Sequence, residues 1–132
     1  MKPEERQDLV QYRLKLSLES VKEAERLLMD PPHPRGAVNR IYYAIFYAVQ
    51  ALAISRGKIL SKHTHAISFF DKEFVKTGLF DKNMSKIVHN TFDLRLRCDY
   101  QDFIEISTEE ARDFVEQAEF FSNAVKNYLG ES

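Results

Sequence analysis

The chain is poor in the residues that punctuate or staple a fold: one cysteine, no tryptophan, four glycines and four prolines in 132 residues. A single thiol, Cys98, excludes an internal disulfide framework and a thiolate zinc cluster, and points to a reducing cytoplasm. The start, Met1-Lys2-Pro3-Glu4-Glu5-Arg6, has no apolar stretch of a secretory leader. The longest apolar run, Ile41 to Ile54, is broken only by Gln50. It falls short of the roughly 18 to 20 residues that cross a bilayer, so it reads as a buried core helix and no membrane role is expected. Nineteen basic residues against twenty acidic ones leave a net charge of −1, which excludes a function driven by bulk charge. There is no glycine-rich phosphate loop, no nucleophile elbow and no cluster of metal ligands, so neither a cofactor nor a metal is expected.

What is present is helical periodicity. Five helical segments in one domain, residues 1–132, follow from the spacing of apolar residues and from where Gly and Pro fall. The first spans about Glu4 to Met29, with Val10, Leu14, Ser17, Val21, Ala24 and Leu28 on one stripe, and stops at Asp30-Pro31-Pro32-His33-Pro34. The second, about Pro34 to Arg56, is apolar on most faces and capped by Gly57. Its Ala44, Ala48 and Ala51 form a small-residue strip that lets another helix come close, which makes it the expected centre of a bundle. The third starts after Ser61 and carries Ala66, Ile67, Phe70 and Phe74 before Gly78; the fourth spans about Asn83 to Cys98. A polar, aromatic connection, Asp99-Tyr100-Gln101-Asp102-Phe103, leads to a fifth that opens with Ser107 and Glu110 in capping-box spacing. No run alternates with a period of two, so the fold class is all-α, an up-and-down bundle.

Charge is unevenly placed along the chain. No acid lies between Asp30 and Asp71, where Arg35, Arg40, Arg56, Lys58 and Lys62 stand with His33, His63 and His65. Eight acids fall between Asp99 and Glu119 against Arg112 alone. The basic zone is either a phosphate-binding face or a set of solvated helix faces. Asn39, Tyr43 and Tyr47 share one face of the second helix at four-residue steps, with Arg40 and Tyr42 beside them. Tyr43 and Tyr47 either stack on bases or pack at an interface, whereas Tyr42 reads as packing. His63 and His65, two residues apart, point to different sides of a helix, so a metal pair is not expected there. A histidine at a helix start tends to have its pKa lowered. At the end of the fourth helix, Arg95 and Asp99 are one turn apart and Tyr100 adjoins them. This is either a surface ion pair or an arginine available to a phosphodiester.

Asn39-Arg40-Ile41-Tyr42-Tyr43-Ala44-Ile45-Phe46, Ser61-Lys62-His63 and the stretch from Ile67 to Gly78 together resemble the small HEPN-domain proteins of archaea and bacteria. So do Arg95-x-x-x-Asp99-Tyr100 and Ser107-x-Glu109-Glu110-Ala111, and the resemblance covers nearly the whole chain. It implies an up-and-down helical bundle that forms a homodimer with a cleft between protomers. It also implies a minimal nucleotidyltransferase as partner in a toxin and antitoxin pair, and RNA or a nucleotide as ligand. Many such proteins are metal-independent RNases whose Arg is followed four to six residues later by a His. Here Arg95 matches that arginine, while Arg97 points to another face, and no His follows His89. Asp99 as a base, Tyr100 as a phosphate ligand and His63 arriving from another element are the candidates for the missing role. A toxin-like RNase, a noncatalytic nucleotide or RNA binder, and a helical partner of a nucleotidyltransferase are the three functions this leaves.

Overall fold

The structure, a computed structural model, describes residues 1–100 and 105–130. The described chain forms α1 (Pro3–Leu27), α2 (Pro34–Ser55), α3 (His63–Phe70), α4 (Lys82–Tyr100) and α5 (Thr108–Tyr128), and α3 runs on into a π-helical turn, Asp71–Val75. It is an all-α, up-and-down bundle in which α2 packs against each of the other four helices.

The apolar character of α2 decides this arrangement. Thirteen of its 22 residues are buried, from Ala37 to Ile54, and burying that much apolar side chain needs cover on every side. By length and composition alone α2 could cross a bilayer, yet most of it is enclosed by the bundle. Its alanine strip brings α1 close enough for a side chain to reach its backbone: Ser17 Oγ donates to the Ala44 carbonyl at 2.6 Å. A hydroxyl has one hydrogen, so Ser122 on α5 is the donor in the 2.7 Å contact with Ser17. Three helices are thereby tied at one buried point.

The ends of the elements follow the local signals. Prolines close off α1, and Gly57 and Gly78 take the left-handed φ values of 77° and 81° that stop α2 and the π turn. Ser107 caps α5, its Oγ accepting from the Glu110 N–H at 3.0 Å. The glutamate half of the expected capping box goes elsewhere, because Glu110 Oε1 accepts from Arg97 at 3.0 Å. The fourth helix runs two residues further than its apolar stripe suggests, so Asp99 and Tyr100 are helical and not part of a connection. Gln101, Asp102 and Phe103 lie outside the described residues. The π turn is fastened to α4 by Asp71, which accepts from Ser85 Oγ at 2.7 Å and bonds His89 Nε2 at 2.6 Å.

Candidate functional site

Three elements meet beside the first half of α2. Tyr42 and Phe46, one turn apart, form a floor, and Tyr42 is only 2% exposed. The His63 ring, at the start of α3, lies flat on both: 4.5 Å and 4° from Phe46, 5.0 Å and 14° from Tyr42. From α4, the Arg95 guanidinium rests on the Tyr42 ring with Cζ 3.8 Å from its centre, and 5.5 Å from that of Tyr43. Phe92, one turn before Arg95, packs on the same tyrosine at 4.9 Å.

Arg95 Nη1 lies 3.5 Å from His63 Nδ1. A guanidinium only donates, so Nδ1 accepts, and the neutral imidazole carries its proton on Nε2. Burial lowers the His63 pKa and the Arg95 charge lowers it further, which keeps the ring neutral at pH 7. The direction matches that expected for a histidine at a helix start, but burial and a neighbouring cation bring it about. Arg95 Nε donates to Asp99 Oδ2 at 3.2 Å. Of five guanidinium N–H groups, three then have no partner among the described residues. That is a donor edge suited to a phosphate oxygen pair.

Next to this pair lies a second group. Tyr43 and Tyr47 are half-buried, with ring centres 5.7 Å apart. Arg40 sits over Tyr43 at 5.0 Å, held by Asn39 Oδ1 (2.7 Å from Nη2, 3.2 Å from Nε) and by Glu23 at 3.4 Å. Asn39, Arg40, Tyr43, Tyr47, His63, Arg95 and Asp99 thus form one continuous patch. Tyr100 is not drawn into it: the last residue of α4, it is 79% exposed. Tyr42, which the sequence presents as core, is both core and the surface on which Arg95 and His63 rest. Phe46 and Phe92 share that duty, and only their one-turn offsets from Tyr42 and Arg95 hint at it in the sequence.

The acid-free stretch of sequence is not acid-free in space. Glu73 of the π turn pairs with Arg56 at 3.5 Å and Lys58 at 3.1 Å, and Glu23 of α1 with Arg40. The acidic stretch is matched in the same way, Asp99 by Arg95 and Glu110 by Arg97. Arg97 therefore faces α5 and not the Arg95 patch. Among the described residues no three His, Cys, Asp or Glu side chains converge on a metal-sized site.

Residues 10–128 match the HEPN domain. A UPF0332 protein of Thermotoga maritima is 34% identical over 125 residues, covering 95% of this chain and 94% of that protein. Two proteins of Methanocaldococcus jannaschii, each named "Putative toxin", are 37% identical over 93 residues and 32% identical over 108. The first match takes in 70% of this chain and 63% of that relative, the second 82% and 80%. The all-α helical order and this match over almost the full length agree, and the chain belongs to the HEPN-domain family.

Proposed function

We propose that this protein is a toxin-type HEPN ribonuclease of the cytoplasm that cleaves RNA without a metal ion, using Arg95 and His63. One contact supports the reading above all: the 3.5 Å approach of Arg95 to His63, which supplies from α3 the imidazole that α4 lacks beyond Arg95. In this scheme the open edge of Arg95 binds the scissile phosphate and offsets the charge that builds up on it. As phosphate takes over the Nη1 N–H, Nδ1 of the neutral His63 is released to accept the proton of the ribose 2′-OH. The 2′-oxygen bonds to phosphorus, the bond to the 5′-oxygen breaks, and that oxygen receives the proton back. The products are a 2′,3′-cyclic phosphate and a 5′-hydroxyl. Asp99 orients Arg95 through Nε. A homodimer with a minimal nucleotidyltransferase as its antitoxin partner completes the proposal; the name "Putative toxin" of the two Methanocaldococcus relatives supports the pairing with an antitoxin alone.

The test is cleavage of a mixed-sequence single-stranded RNA in EDTA, comparing wild type with His63→Ala, Arg95→Ala and Asp99→Ala proteins of equal mass by light scattering. His63→Ala should lose about 10²–10⁴-fold in rate and Arg95→Ala about 10²–10³-fold, while Asp99→Ala keeps most of the activity. Full activity in His63→Ala would refute the assignment. An inactive wild type that still binds RNA through Arg95 would make the protein a binding module. A mass near 15.5 kDa would remove the homodimer.

A further inference from the structure

We infer that RNA leaves the Arg95–His63 pair along a track of cations and aromatic rings that crosses from α2 to α1, and that the ligand is therefore single-stranded. This rests on the function proposed above and adds its substrate class and two residues, Arg13 and Tyr12, that no motif marks. The steps are evenly spaced. Arg95 lies 5.5 Å from the Tyr43 ring, Tyr43 lies 5.7 Å from Tyr47, and the Arg13 guanidinium lies 5.8 Å from Tyr47 and 5.8 Å from Tyr12. Tyr43 and Tyr47 are half-buried rings on a helix that sinks thirteen of its 22 residues in the core, and Tyr12 is 53% exposed. An apolar interior alone would place aliphatic residues on such a seam. Tyrosines at one-turn spacing instead offer successive π faces with hydroxyls at the rim.

Arg13 is the informative member. Arg40, Arg56, Arg95 and Arg97 each meet a carboxylate, whereas Arg13 makes no ion pair among the described residues. Its guanidinium lies over the two rings, and its Nε is buried without a hydrogen-bond partner among the described residues. A guanidinium held between aromatic rings keeps its charge available to a phosphate, and rings beside it accept unpaired bases. Cations that follow a backbone, interleaved with stacking rings, are how single strands are held without regard to sequence. In a duplex both faces of each base are already stacked, so the track would have nothing to receive.

The experiment measures binding of fluorescent oligonucleotides with 2′-O-methyl riboses, which lack the attacking hydroxyl, from dinucleotide to octanucleotide, to wild type, Tyr47→Ala, Tyr47→Phe, Arg13→Gln and Arg95→Ala. Wild-type affinity should rise with length. Tyr47→Ala should cut the affinity for the longer strands by roughly fivefold to a hundredfold and leave the dinucleotide nearly unchanged, with Tyr47→Phe close to wild type. Arg13→Gln should remove about 0.7 from the salt slope of the longer strands. Arg95→Ala should weaken every length. Length dependence that survives both Tyr47→Ala and Arg13→Gln overturns the track while leaving Arg95 and His63 in place, and tighter binding of a duplex overturns it equally. Loss of affinity that appears only with a fall in mass by light scattering overturns it too, and makes this face a contact between copies. A wild type that binds no RNA in any form defeats the track together with the function it rests on.

Discussion

Replacing Tyr42 by phenylalanine removes a single oxygen from beneath Arg95 and His63, and the result should be a more stable protein. The Tyr42 side chain is 2% exposed, and its hydroxyl has no hydrogen-bond partner among the described residues. A buried polar group left without a partner costs about 1–3 kcal/mol. The void left by one oxygen returns a few tenths of that, at about 24 cal/mol per Å³. Tyr42→Phe should therefore gain about 1–2 kcal/mol, or roughly 3–8 °C in melting temperature for a chain of this length. The ring faces that carry Arg95 at 3.8 Å and His63 at 5.0 Å remain, so activity that depends on Arg95 should persist. The assay is urea unfolding followed by circular dichroism, at one protein concentration because association adds to apparent stability. Tyr43→Phe, which trims a hydroxyl from a half-buried ring, is the control and should change stability by less than about 0.5 kcal/mol. A loss of more than about 0.5 kcal/mol in Tyr42→Phe would refute the reasoning, because the hydroxyl would then be holding a hydrogen bond.

Three further outcomes are expected. Ser17→Ala removes the links from α1 to both α2 and α5 and should cost about 1–2 kcal/mol, whereas Ser122→Ala, which leaves the 2.6 Å bond from Ser17 to Ala44 intact, should cost about half as much in the same denaturation assay. Ser107→Ala deletes the α5 cap and should cost about 1 kcal/mol, with Ser107→Asp close to wild type. The pKa of His63 is lowered in the fold, by burial and then by Arg95, so the unfolded chain binds the proton more readily. Stability must then fall as pH drops below the ordinary value of 6.5 and level off below the folded pKa. Denaturation at pH values on either side of that window should show a smaller drop in His63→Phe than in wild type, and an equal drop would remove His63 as its source.

The helices were legible because their signals are local. The stripe from Val10 to Leu28, the apolar run of α2, the left-handed glycines and Ser107 each act over one or two turns. Such spacing reports the neighbours of a residue on its own helix. For the same reason Arg95 and Asp99, four residues apart, could be paired from sequence, and they are. The π turn at Asp71 was not legible, since the bonds that fasten it come from Ser85 and His89 on the next helix.

Sequence by itself therefore determined an all-α bundle organised around α2, because hydrophobic periodicity and the backbone limits of Gly and Pro are written residue by residue. Tertiary structure alone decided which charges meet between elements and which rings carry them. His63 and Arg95 are 32 residues apart and touch because α3 and α4 both pack on α2 at Tyr42. Glu23 and Glu73 reach into a stretch that holds no acid of its own, and Arg13 reaches Tyr47 across the α1–α2 seam. Electrostatic and stacking interactions depend on distance in space, and packing sets that distance without regard to how far apart the residues lie along the chain.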